Sequence, residues 1–471
     1  MQVAPAPAPD AIELLVEELK PDLAEEQPLD LDKSIFKERR HESDARAYRC
    51  RGPALMRRAF EIDWSRCNTE RFRNFVRRED DATGDCELDE EMAELKAALK
   101  EKCGLIYSVY SYYCAVGNTA DRYVMGLPEF QLLCHDLNIS DPSSKGCKPA
   151  DLDNIFISTN IEDATRGTPS PEQKALNSAN FDKALMRFEF LQAIVRLAIA
   201  KHGAKYGGDE GDASEAAERL LDQDFALLPP EARHDPEEFR VARLYVRDAD
   251  QVFTEQEKNL RAIFEFYSLG DDQEGKSAAG RRMCLQEWET LINDCRLYDS
   301  PGFTRNEAAL CFVWSQPFAT DEVKRRLKLT HLTFVDFLEA LARTCTFKPL
   351  PTDTQLRECR ALTVQQFYQQ GGRGLLKPID WQHEELAERG PLGPSLTTLI
   401  ELITDALDIN RDGVITRAEL KKSREAGIAA QKASAQADKV RERKLQDEKL
   451  QEQRMEQRTR RLTKEGVLPA A

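Results

Sequence analysis

Residues 408–419 read DINRDGVITRAE and carry the residue types and spacing of a loop that wraps a hard divalent cation. Asp408, Asn410 and Asp412 stand at positions 1, 3 and 5, Gly413 at position 6, Ile415 at position 8 and Glu419 at position 12. A cation such as Ca2+ takes roughly six to eight oxygen ligands, and alternate residues of a tight loop can turn inward to supply them. Gly413 permits the positive φ of the sharp turn. Val414 offers a backbone carbonyl, Thr416 a hydroxyl or a bridging water, and Glu419 both carboxylate oxygens from the first turn of the following helix. The expected metal ligands are Asp408, Asn410, Asp412, Val414, Thr416 and Glu419. Three acids in the loop suit a dissociation constant of about 10⁻⁷–10⁻⁵ M for Ca2+, with Mg2+ as a resting occupant.

Such a loop needs a helix on each side. LTTLIELITDAL precedes it and RAELKKS follows, both with helical periodicity. The same frame recurs along the chain. An aliphatic residue or Met, three residues, an acid and a large apolar residue appear five times. The copies are Met125…Glu129-Phe130, Leu185…Glu189-Phe190, Met283…Glu287-Trp288, Leu332…Asp336-Phe337 and Ile415…Glu419-Leu420. Each follows a helical stretch and a polar loop, and each leads into an amphipathic helix. The order YSYYCAVGN–MGLPEFQLLCHDL is echoed by IFEFYSLGD–MCLQEWETLINDC, which argues against chance recurrence.

The four earlier copies have lost the cation chemistry. In the first, Asn118 and Glu129 hold positions 1 and 12, but Ala120, Arg122 and Tyr123 fill positions 3, 5 and 6. In the second, Ser178, Asn180, Asp182 and Glu189 could coordinate, but Lys183 replaces the glycine. The third starts at Lys276 with no ligand before Glu287, and the fourth starts at Arg325 in a basic cluster. Copies one and two are expected to pair, as are three and four. The fifth is left odd, with a partner near 355–394, in another chain, or none.

The 408–419 loop resembles the EF-hands of the calmodulin superfamily. The degenerate pairs are similar to those of multi-EF-hand proteins of motile cilia and flagella. That second resemblance is carried by RAFEIDWSRC (58–67), YSVYSYYCAVGN (107–118), DLDNIFISTN (151–160) and ALMRFEFLQAIVRLAIAKHG (184–203). It implies a non-enzymatic axonemal or microtubule-associated protein of the cytoskeleton, whose metal-free hands serve as rigid docking modules. One intact site beside four degenerate ones departs from a calmodulin-type peptide clamp.

Other motifs compete less well. Residues 270–277, GDDQEGKS, match a phosphate-binding loop at Gly270, Gly275, Lys276 and Ser277. That chemistry needs a strand before the loop and a helix after it, whereas NLRAIFEFYSL reads as helix. Asp271, Asp272 and Glu274 would also repel phosphates. No nucleophile–base or paired-carboxylate set stands out. From Lys421 to Lys464 there are 14 bases and 7 acids, a net of +7 on an otherwise acidic chain. Its apolar residues Val440, Leu445, Leu450, Met455 and Leu462 are spaced too widely for a heptad coiled coil. The tail reads as a charged helix, either solvated or docked on an acidic surface such as tubulin or an axonemal neighbour.

The whole chain has 471 residues, 67 Lys+Arg against 83 Asp+Glu, and a net charge of −16. An acidic balance disfavours nucleic acid as partner. No apolar run approaches the roughly 18 residues of a membrane span, and the N-terminus lacks the regions of a signal peptide. Twelve cysteines without a CxxC pair predict reduced core thiols in a cytoplasmic setting. Strand alternation is scarce, so the expected fold class is all-α. The expected layout is a disordered segment (1–45), a degenerate EF-hand pair with preceding helices (46–207), and an acidic linker (208–250). A second degenerate pair (251–347), a connector (348–394), the cation-binding hand (395–424) and a basic helix (425–471) follow. The expected function is a calcium-binding, structural or calcium-responsive component of the ciliary axoneme. The alternatives are a soluble cytosolic calcium sensor or adaptor and, remotely, a nucleotide hydrolase using 270–277.

Overall fold

The computed structural model describes residues 28–41, 48–77, 85–117, 122–160, 183–268, 281–299, 302–377 and 391–429, with residues 432 and 436. The chain is mostly helical. Among the described residues, strands are confined to four two-residue pieces, and no helix is long and apolar enough to cross a membrane. Cys50, Cys67, Cys103, Cys114 and the seven described cysteines from Cys134 to Cys359 are free thiols.

The first half contains α1 (Pro53–Cys67), α2 (Glu70–Val76), α3 (Asp85–Glu101) and α4 (Cys103–Val116). Periodicity alone predicts one helix over 89–117. The chain instead divides at Lys102 into two helices, and α4 buries Ile106, Tyr107, Tyr110 and Tyr113. Then come β1 (Met125–Gly126), α5 (Leu127–Asp136), α6 (Pro149–Thr159), β2 (Ala184–Leu185), α7 (Arg187–His202) and α8 (Ala213–Arg219). The second half has α9 (Arg247–Tyr267), β3 (Met283–Cys284), α10 (Leu285–Asp294), α11 (Arg305–Ser315), α12 (Arg326–Thr330), β4 (His331–Leu332) and α13 (Phe334–Phe347). It ends with α14 (Asp353–Glu358), α15 (Val364–Gln369), α16 (Leu392–Leu407) and a helix over 417–429.

The helix–loop–helix units join in pairs through antiparallel ladders. β1 pairs with β2 in the register Met125↔Leu185. β3 pairs with β4 in the register Met283↔Leu332.

The five-fold motif has a physical account in these units. Its aliphatic member is the ladder residue in the first four copies. Its large apolar member is core: Phe130, Phe190, Trp288, Phe337 and Leu420 are all essentially solvent-free, each contributing about 1.5–3 kcal/mol by burial. In the last four copies its acid is a helix cap, satisfying an N–H that the first helical turn leaves without a partner. The N–H groups of Met186, Cys284, Thr333 and Thr416 donate to Glu189, Glu287, Asp336 and Glu419 at 2.8, 2.7, 2.9 and 3.0 Å.

Two apolar cores result. One runs from Met56 to Ala232; the other takes in Phe36 and most buried apolar residues from Phe239 to Leu420. They meet where α4 packs on α11. There Arg187 bonds Asp63 at 2.6 Å and lies over the rings of Tyr107 and Phe318.

Three segments depart from the expected layout. The acidic stretch 208–250 is packed, not a solvated linker: α8 lies on α3 and α7, and Leu220, Leu221, Phe225, Phe239 and Leu244 are buried. Its acids mask an apolar face that charge counting overlooks. Part of the N-terminal segment also folds: Ile35–His41 is a 3₁₀ turn that buries Phe36 and Arg39. Arg39 enters the core because Asp336 and Glu339 meet it at 3.0 and 2.8 Å. In the connector, α14 and α15 enclose a small cluster of Ala361, Phe367 and Leu376.

Candidate functional site

Helix α16 is apolar on the face formed by Leu392, Leu396, Leu399, Ile403 and Leu407, which seats it against α9 and α13. Its C-terminus delivers Asp408, which is 5% exposed. The chain then turns through Arg411 (φ 58°) and Gly413 (φ 80°) before the helix over 417–429 begins. A Cβ at Gly413 would meet nothing within 4 Å, so the glycine serves the backbone angle alone. Ile415 and Leu420 drop into the core.

The Asp408 carboxylate accepts the N–H groups of Arg411 (2.7 Å) and Gly413 (2.8 Å), closing the turn from inside. Asp412 accepts the N–H of Val414 at 2.9 Å. Glu419 reaches back across the loop: one oxygen accepts the N–H of Asn410 (2.9 Å), the other the N–H and hydroxyl of Thr416 (3.0 and 2.6 Å). The Thr416 hydroxyl, followed by these N–H groups, holds the Glu419 carboxyl below its usual range. The structure thus brings Asp408, Asn410, Asp412, Thr416 and Glu419 onto one turn with backbone donors among them. Among the described residues, no group of three or more His, Cys, Asp or Glu is gathered closely enough to hold a metal ion. The loop's carboxylates are each engaged with N–H groups instead.

The donor set nevertheless fits a hard cation in kind. It consists of carboxylate, carboxamide, carbonyl and hydroxyl oxygens on one short loop, with no soft ligand among the six positions. Bound there, a divalent cation would supply positive charge to three carboxylates. Asp408, Asn410, Asp412, Val414, Thr416 and Glu419 are the residues that would hold it.

The sequence does not foretell the loop's neighbour. Ile415 makes no ladder with a strand in 355–377; its N–H donates to the Asn259 side-chain oxygen on α9 at 3.2 Å. The same carboxamide donates from Nδ2 to the Gly413 carbonyl at 3.0 Å. A polar residue on the rim of an amphipathic helix gives no local sign of a partner 150 residues on. Beyond the loop, Arg424 reaches Asp294 at the end of α10 (3.4 Å). A Cβ at Gly427 would fall 2.2 Å from an Asp294 oxygen, so the departing helix lies close on α10.

The other units differ. In the fourth, Arg326–Thr330 is helical, and positions 1, 3 and 5 hold Arg325, Leu327 and Leu329, none of which offers a side-chain oxygen. Residues 118–121, 178–182 and 276–280 of the first three loops lie outside the described residues, as does 270–277. The element leading toward 270–277 is α9, a 21-residue helix rather than the strand that phosphate chemistry requires. Most of the basic tail, 430–471, also lies outside the described residues apart from 432 and 436.

No protein-family model matches the chain, and comparison with curated proteins and with solved structures gives no match.

Proposed function

We propose that this is a non-enzymatic calcium-binding protein built of five EF-hand units, four structural and one cation-binding. The observation that carries the reading is the ladder register. Counting each frame from its first residue, position 8 faces position 8 in both pairs, Met125 with Leu185 and Met283 with Leu332. The frame was set by the 408–419 loop and owes nothing to those pairings. In units two to four the acid at position 12 caps its helix, a role that needs no cation.

Calcium titration calorimetry with magnesium present tests the reading. The expected result is one site, lost in an Asp408→Ala, Glu419→Gln variant. No heat at millimolar calcium would reduce all five units to architecture.

The setting we propose is the axoneme of a cilium or flagellum, with tubulin or an axonemal complex as the docking surface. It rests on the resemblance of 58–67, 107–118, 151–160 and 184–203. Co-sedimentation with detergent-extracted axonemes is the expected behaviour. A protein left in the supernatant that exposes apolar surface on adding calcium would point to a soluble sensor instead.

A further inference from the structure

We infer that Asn259 takes the place of a partner strand for the cation loop, and that its single carboxamide sets which backbone carbonyl faces the cation. The inference rests on the calcium-binding reading for its second half and on hydrogen bonds alone for its first.

In the paired units, position 8 is held by the backbone of a neighbouring loop. A backbone edge offers both an acceptor and a donor, and a side-chain amide carries both kinds of group. Asn259 uses both: it accepts from the N–H of Ile415 at position 8 and donates to the carbonyl of Gly413 at position 6. Val414, at position 7, is bracketed between them.

The bracketing has a geometric consequence. A trans peptide is planar, with its C=O and N–H pointing to opposite sides. The 413–414 peptide sends its carbonyl to Asn259 and its N–H to Asp412 (2.9 Å). The next peptide is turned over: its N–H goes to Asn259, so its carbonyl, that of Val414, points away from α9 toward the side where the Asp412 carboxylate lies. Among the described residues, the hydrogen bond to the Asn259 oxygen is the one that holds that peptide. Asn259 is therefore a positioning residue, acting through Val414 and making no contact with the cation itself. Because α9 also leads into the third unit, an occupied loop and α9 stabilise each other reciprocally.

Asn259 is half-buried on a helix, and Ala has the higher helix propensity, so Asn259→Ala is expected to fold. Two measurements on the full chain test the proposal: calcium affinity by calorimetry, and amide hydrogen exchange at Ile415 in cation-free protein. Losing two hydrogen bonds should weaken calcium binding about tenfold and speed Ile415 exchange. Lys258→Ala, at the adjacent exposed position, should change neither. Unchanged affinity with unchanged exchange would overturn the proposal. If the wild-type chain binds no calcium, the calcium reading and the affinity half fall together; faster Ile415 exchange in Asn259→Ala would still uphold the strand substitute, and unchanged exchange would overturn that too.

Discussion

Glu339, solvent-free on α13, lies 2.8 Å from the guanidinium of Arg39, a residue of the N-terminal 3₁₀ turn. It also holds Arg240 at 2.9 Å and Arg343 at 2.6 Å. One carboxylate thus serves three buried guanidiniums from three parts of the chain. Asp336 adds a second negative charge beside Arg39. Removing the centre strands cations in a dry interior, which is costlier than losing a surface pair. Glu339→Ala should lower unfolding stability by about 3–5 kcal/mol, read by urea titration, and should loosen residues 28–41 in hydrogen exchange.

The acid at position 12 can be separated from metal binding. Glu287 caps α10 through the Cys284 N–H. Glu287→Ala should cost about 1 kcal/mol while leaving calcium stoichiometry unchanged in calorimetry. A lost calcium site would mean that the third unit is a ligand-bearing loop after all.

Glu322, buried at the junction of the two cores, accepts the Arg187 N–H at 3.0 Å. Burial pushes its carboxyl up to about 7, outweighing the nearby Arg187 charge. An acid raised in the folded state binds its proton more tightly there than in the unfolded chain. Its contribution is fully present below the ordinary value near 4.5 and is lost as pH rises through about 7. Glu322→Gln should flatten the decline in melting temperature between pH 5 and pH 8 and leave the variant the more stable at pH 8.

Two residues of the cation loop hold left-handed backbone, and they should respond oppositely to substitution. Gly413→Ala places a Cβ on a φ of 80° in open space, so the cost is conformational, about 1–2 kcal/mol. Arg411→Gly relieves the same kind of strain at a φ of 58° and should be neutral or stabilising by up to about 1 kcal/mol. Thermal unfolding of the cation-free protein measures both.

Helical content and the five copies of the motif were legible because each depends on local spacing. Met125, Glu129 and Phe130 lie within six residues, so the motif shows in the sequence even though the ladder partner of Met125, Leu185, lies far along the chain. What stayed hidden depends on distant partners. Arg39 reads as a solvated charge until Asp336 and Glu339 are beside it. Residues 208–250 read as a linker by net charge, although α8 packs on α3 and α7 and Leu220, Leu221 and Phe225 behind it are buried. The six residues that loop spacing proposes as ligands lie on one loop in the structure. The partner of Ile415 was not, since no pattern in TEQEKNLRA singles out Asn259.

On the proposed calcium-binding reading, the clasp at Asn259 also bears on the shape of the response to calcium. Two cation loops that share a ladder can pass coupling energy across it, and filling one then sharpens filling of the other. A carboxamide has no second ion to offer. On the proposed reading, occupancy at 408–419 would climb along a simple hyperbola with a Hill coefficient of about one. The molecule would then report calcium as a dial does, in proportion, rather than by a threshold.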